Sequence, residues 1–323
     1  MNKIEVILKK KIAFVYPGQG CQFEKMGKEF YDNYACAREV FELASESLGD
    51  DLKELCFESD LEKLSLTENT QPAIFTVSMA LSKILESNGI KASAFAGLSL
   101  GEYSGLSAAG AISIEDGVRL VRKRGQLMQD EVPVGKGSLM AVMGLTQDKI
   151  EEAILPLQSK GIISCSNINT DNQIVIGGEV ELLKEAEGML KASGAKRAMF
   201  LNVSAPFHTK MLTGAGQKLR IELDQIAINA PDKDYYPNVT GELFIPESGN
   251  VKAQIADLLE KQVYSPVLWN RSIRSMIAQG VDTFVEVFPG NVAGSLIKKI
   301  DKSAEVISIS NVEMLEAFLN SYR

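Results

Sequence analysis

Apolar residues recur along this chain in two rhythms. Short unbroken runs, of which Ile12–Tyr16 (Ile-Ala-Phe-Val-Tyr) is the first, predict parallel strands buried on both faces. Longer stretches with apolar positions three and four apart predict helices packed by one face. The first strand is stopped by Pro17-Gly18-Gln19-Gly20, and helical patterning follows over residues 26–48 and, briefly, 51–58. Residues 66–72 read as a turn, with Pro72 in the first turn of a helix whose apolar stripe covers 73–86. Asn88-Gly89 ends that helix, and a second apolar strand runs from Ala94 into Gly97-Leu98-Ser99-Leu100-Gly101. Residues 103–111 are small and apolar, suited to a helix lying close on a sheet. Ser113 then caps a further helix, with Asp116 where a capping box usually has Glu or Gln.

Beyond a linker at 133–137 the pattern changes. A strand (138–143), a helix (147–158), two strands (162–167 and 173–177), a helix (179–192) and a strand (196–203) give the β-α-β-β-α-β order of a ferredoxin-like unit. The α/β patterning then resumes, with helices over 211–226, 251–262, 270–278 and 291–300 and strands over 234–239, 282–287 and 306–309. A last helix starts at Val312. The expected fold is therefore α/β: a parallel-sheet domain of residues 1–133 and 204–323, with a ferredoxin-like subdomain, 134–203, inserted into it. A cleft between two such lobes is a natural ligand site.

The turn at Ser99 has the Gly-x-Ser-x-Gly form of a nucleophile elbow. Small residues on both sides let the backbone bend sharply and aim the next N–H at whatever the hydroxyl attacks. The same five residues would also suit an ordinary tight α/β turn. The chain has a single histidine, so imidazole assistance to Ser99 can come only from His208. Gln19, between two glycines at a strand end, can bring its N–H and amide close to a ligand. Leu120, Val121, Leu127 and Met128 form one helix face with Arg124 in its middle. An arginine there needs an anion. Either an internal carboxylate such as Glu102 or a substrate carboxylate held bidentately would serve.

Composition narrows the class. At 323 residues, 45% hydrophobic and 24% charged, the chain has ample core for a soluble protein. Its net charge of −8 argues against nucleic acid as a partner. Cys21, Cys36, Cys56 and Cys165 form no C-x-x-C pair, which suits buried thiols in a cytoplasmic protein better than a metal site. Residues 1–11 carry lysines without a following apolar region, so no signal peptide or membrane span is expected. Nothing demands more than a monomer.

Taken together, several ordered motifs resemble the malonyl-CoA:acyl carrier protein transacylases of fatty-acid and polyketide synthesis. They are Pro17-Gly18-Gln19-Gly20, the elbow with Gly101-Glu102-Tyr103-Ser104, Arg124-Gly125-Gln126-Leu127-Met128, Pro206-Phe207-His208, Ser265-Pro266-Val267-x-Trp269 and Glu286-Val287-x-Pro289-Gly290. The likeness covers nearly the whole chain. It implies an α/β-hydrolase-like core with a ferredoxin-like insert. It also implies ping-pong transfer of malonyl from malonyl-CoA to the phosphopantetheine thiol of acyl carrier protein, with no cofactor or metal. Ser99 would be the nucleophile, His208 the base, and the backbone carbonyl of Gln262 the group orienting the imidazole. The N–H groups of Gln19 and Leu100 would hold the oxyanion, and Arg124, Met128 and Phe207 would bind the malonyl group. Phe207 resembles the malonyl-selective members.

Two positions depart from the family pattern: Leu98, where histidine is frequent before the nucleophile, and Phe288, where glycine is usual. An acidic carrier protein needs a local basic patch on this acidic chain, for which Lys196, Arg197, Arg271 and Arg274 are candidates. Other readings are a trans-acting polyketide acyltransferase, an acyl-carrier-protein hydrolase on the same scaffold, and a non-catalytic carrier-binding module.

Overall fold

A computed structural model describes residues 10–203 and 205–322. Its core is a five-stranded, wholly parallel sheet. The strands are β1 (Ile12–Tyr16), β2 (Ala94–Gly97), β7 (Asp234–Tyr236), β8 (Thr283–Glu286) and β9 (Glu305–Ser308), in the order β7-β2-β1-β8-β9. β1, β2 and β8 are buried along their whole length, as unbroken apolar runs require when helices cover both faces. β1 lies at the centre, Tyr16 beside Gly97 of β2, so the turns leaving β1 and β2 emerge side by side.

The second sheet is antiparallel: β3 (Gly137–Met143), β4 (Ile163–Thr170), β5 (Gln173–Glu179) and β6 (Arg197–Phe200), in the order β4-β5-β3-β6. Here the pattern alternates. Met140, Val142, Ile174 and Ile176 enter a core with the helices Gln147–Ile154 and Val180–Ala192. Leu139 and Val175 turn to the other face and pack with the main core. The two lobes are joined by paired backbone bonds, Ile168 N–H to Val267 O (2.9 Å) and Val267 N–H to Ser166 O (2.9 Å).

Two helical expectations change. The stretch 26–48 is two helices, Lys28–Asn33 and Ala35–Leu48, broken where Tyr34 adopts an extended backbone. The helix expected to open at Pro72 begins earlier and spans Thr67–Ser87, with Pro72 inside it. Thr70 and Gln71, just before Pro72, are buried and bonded: Thr70 Oγ1 donates to Leu64 O at 2.6 Å, and Gln71 Oε1 accepts from Arg124. One local and one long-range bond thus hold the early turns in place of an apolar stripe. Cys56 and Cys165 are buried, whereas Cys21 and Cys36 are half-buried, and all four are free thiols. Among the described residues no helix is long and apolar enough to cross a membrane.

Candidate active site

The turn after β2 is a strand–turn–helix elbow. Ser99 has φ 53°, and the helix Gly101–Ala108 starts two residues later. Both glycines are required by close approach. A Cβ on Gly97 would lie 2.0 Å from the Gly101 carbonyl carbon, and one on Gly101 would lie 2.3 Å from Tyr16 O. Asn238, buried beside the turn, fastens it from both sides. Its Oδ1 accepts from Ser99 N–H (2.7 Å), and its Nδ2 donates to Gly97 O (2.6 Å).

His208 meets this serine from the chain leaving the second lobe. Its Nε2 lies 2.7 Å from Ser99 Oγ and its Nδ1 2.7 Å from the backbone oxygen of Gln262. A carbonyl only accepts, so Nδ1 carries the proton and Nε2 is free to take one from the serine. Burial, reinforced by the nearby Arg124 cation, pushes the imidazole down to about 3. At neutral pH it is therefore an uncharged base.

Arg124 projects from the helix Ile114–Asp130, which Ser113 caps as expected by accepting from Asp116 N–H. The guanidinium is 1% exposed. One terminal nitrogen donates to Gln71 Oε1 (2.8 Å); the other donates to Ser99 Oγ (3.0 Å) and to Gln262 Oε1 (2.9 Å). The Tyr103 ring lies 5.3 Å away. No carboxylate forms an ion pair with it among the described residues. Glu102 approaches only through the Gln262 side chain, whose Nε2 donates to Glu102 Oε2 (2.7 Å) and to Ser99 O (2.8 Å). Glu102 is itself fully buried and also accepts from Tyr235 O–H and from Asn238 N–H. Burial pushes its carboxyl up to about 7, against the pull of the Tyr235, Gln262 and Asn238 donors and of Arg124.

Ser99 and His208 open onto a cleft of about 1070 Å³ between the two sheets. Gln19, Leu98 and Phe207 line it, and Leu139, Asn167, Gln173 and Val175 face them from the second lobe. The Gln19 side chain donates to Thr67 Oγ1 at 3.3 Å. The backbone N–H groups of Gln19 and Leu100 have no acceptor among the described residues. Met128 does not reach the cleft. It is buried behind Gln71, whose Nε2 lies 3.9 Å from its sulfur. Phe288 is buried against Phe23, edge to face at 6.4 Å. Of the basic candidates, Arg271 pairs with Glu242 and Arg274 with Asp171.

Sequence reasoning did not single out Gln71, Asn238 or Tyr235. All three are neutral polar residues whose importance appears only when distant segments meet. The one available signal was indirect: a buried arginine needs acceptors, and Gln71 lies in a segment read as a turn.

A parallel sheet with a serine elbow, a paired imidazole and free N–H groups beside it is an arrangement suited to acyl chemistry at a serine. The family described as "Acyl transferase domain" matches residues 13–314, and the chain belongs to it. It is similar to the malonyl CoA-acyl carrier protein transacylase of Bacillus subtilis, 40% identical over 314 residues and covering 97% of this chain and 98% of that one. The crystal structure of the corresponding protein from Clostridium perfringens superposes with a TM-score of 0.92 at 43% identity, covering 97% of each chain. A malonyl-transacylase solved in complex with its type II polyketide-synthase acyl carrier protein also has a TM-score of 0.92, at 34% identity over 97% of this chain and all of that one (100%).

Proposed function

We propose that this chain transfers a malonyl group from malonyl-CoA to the phosphopantetheine thiol of acyl carrier protein, for fatty-acid synthesis, by way of an O-malonyl serine at Ser99. The carrying observation is Arg124: a buried guanidinium with no ion-paired carboxylate among the described residues, 3.0 Å from the serine hydroxyl. In a malonyl thioester one methylene separates the carboxylate from the carbonyl under attack. A cation beside the nucleophile is therefore where that carboxylate falls, and it replaces Ser99 Oγ as the acceptor.

Ser99 gives its proton to His208 Nε2 as Oγ attacks the thioester carbonyl. The oxyanion turns to the N–H groups of Gln19 and Leu100. On collapse the C–S bond breaks and coenzyme A leaves as a thiol, with the proton returned by His208. The carrier thiol then gives its proton to His208, attacks the ester carbonyl and restores Ser99. Arg124 is the second cause of the depressed basicity of His208. A bound malonyl carboxylate offsets that cation and so strengthens the base when the right donor is present. Phe207 forms part of the acyl wall, and Met128 supports Arg124 from behind through Gln71. Each step uses only side-chain, backbone and substrate groups, so no cofactor or metal is invoked.

The chemistry calls for no group from a second copy, so the working unit in this reading is a monomer, and the free thiols suit the cytoplasm. Residues 140–198 have a core of their own, which supports 134–203 as an inserted subdomain and 1–133 with 204–323 as the catalytic domain. Intact mass after brief exposure to malonyl-CoA tests the reading. A malonyl adduct is expected on the parent protein, absent from Ser99→Ala and scarce with acetyl-CoA. Rapid malonate release without an adduct would instead mark a hydrolase. Carrier binding with neither adduct nor release would mark a non-catalytic module.

A further inference from the structure

The Gln262 residue touches both halves of the site. Its backbone oxygen receives His208 Nδ1–H, and its side-chain oxygen receives Arg124. Which way that amide faces decides whether Arg124 meets an acceptor or a donor. Two acceptors fix it, Ser99 O and the Glu102 carboxylate, both bonded to Gln262 Nε2. A flipped amide would set its oxygen against both and turn an NH2 group on the guanidinium. Glu102 is the side-chain partner of the two, fully buried and fixed in place by its other bonds. It is held by Tyr235 O–H on one oxygen and by Asn238 N–H on the other. Asn238 is also the residue whose side chain fastens Ser99 and Gly97.

We propose that Glu102 is a positioning residue for donor selection: by holding the Gln262 amide in one orientation it sets Arg124 to receive a carboxylate-bearing acyl group. It touches neither substrate nor reacting atoms and acts through Gln262. This inference rests on the malonyl-transfer reading and adds to it the group that enforces the preference.

The test compares first-order acylation of Ser99 by malonyl-CoA and by acetyl-CoA in Glu102→Met, Glu102→Gln, Gln262→Met and the Glu102→Met/Gln262→Met pair, each checked for cooperative melting. Glu102→Met removes the acceptor at similar length. Its malonyl-to-acetyl ratio is expected to fall about tenfold, the effect of losing one buried hydrogen bond, with the loss mainly in KM for malonyl-CoA. Glu102→Gln keeps an oxygen towards Gln262 if its NH2 faces the Tyr235 hydroxyl, and should restore most of the ratio. Gln262→Met keeps the backbone bond to His208 but cuts the same link from the other end. It should reproduce the Glu102→Met ratio, and the double variant should lose no more than the worse single, because one link is cut twice.

An unchanged ratio in folded Glu102→Met overturns the proposal, as do equal losses with both donors or losses that multiply in the double variant. If Glu102→Met does not fold, an unchanged ratio in Gln262→Met overturns it and a reduced ratio supports it. A parent protein without malonyl preference overturns the functional reading and this inference with it. A parent with that preference, retained in the variants, overturns the inference alone.

Discussion

The two sheets face the same cleft and bring different things to it. The lobe built on the parallel sheet holds Gln19 and Ser99 at its strand ends, with Arg124 directly behind, and anchors His208, which arrives on the chain leaving the antiparallel sheet; each is hydrogen-bonded to residues distant in the chain. The antiparallel sheet delivers Leu139, Asn167, Gln173 and Val175, and among the described residues it places no ionisable side chain on the cleft. The difference follows from strand geometry. Parallel strands end together and release their turns into one place, where N–H groups and side chains converge. An antiparallel sheet offers a face instead of an end, and a face supplies shape. Chemistry and shape are thus assigned to separate lobes, and they should fail separately.

The sharpest break is His208→Ala. Loss of the base is expected to slow Ser99 acylation at least about a hundredfold, followed as coenzyme A release in stopped flow. A loss under about tenfold would mean that the parallel-sheet side does not carry the proton transfer. Arg124→Ala comes next. The malonyl rate should fall about ten- to a hundredfold through loss of charge-assisted bonds. The acetyl rate should hold or rise, because His208 is freed of a neighbouring cation. Equal losses with both donors would remove Arg124 from carboxylate recognition.

On the other lobe, Leu139→Ala empties part of the wall. Denaturant unfolding should record a loss of about 2 kcal/mol, while the acylation rate of the folded variant stays within about threefold. A large rate defect with normal stability would place chemistry on the antiparallel sheet. The smallest expected effect is on the pH profile. Because burial and Arg124 hold His208 down at about 3, its base form persists below the ordinary imidazole value of 6.5. Lowering the pH through 6.5 should therefore not titrate His208, and any change in acylation there should be one that Glu102→Gln removes. A halving there that survives in Glu102→Gln would show an imidazole that titrates normally.

The same contrast explains what could be read from the sequence. Ile12–Tyr16 was legible to the residue because a strand buried on both faces must be apolar throughout. The β-α-β-β-α-β unit was legible because its rhythm differs from that of its surroundings. Ser99 stood out by its flanking glycines, and His208 by being the sole histidine. Of the two anions open for Arg124, Glu102 proves to stand one residue away, behind Gln262. What escaped was polar burial. Gln71 looks like a turn residue until Arg124 arrives from 53 positions further along the chain. Asn238 and Tyr235 likewise acquire their roles only from residues more than a hundred positions earlier, the elbow and Glu102.

Ser99 and His208 share one further property. Three non-glycine residues among those described have positive φ, and these are two of them, at 53° and 61°. Left-handed backbone is tolerable for an unbranched side chain and punishing for one branched at Cβ, which crowds the main chain. Threonine carries the same hydroxyl as serine, yet its additional methyl group is excluded here by the backbone before any chemistry begins. Cysteine meets no such bar. At Ser99 the backbone therefore admits a change from oxygen to sulfur more readily than the gain of a single carbon.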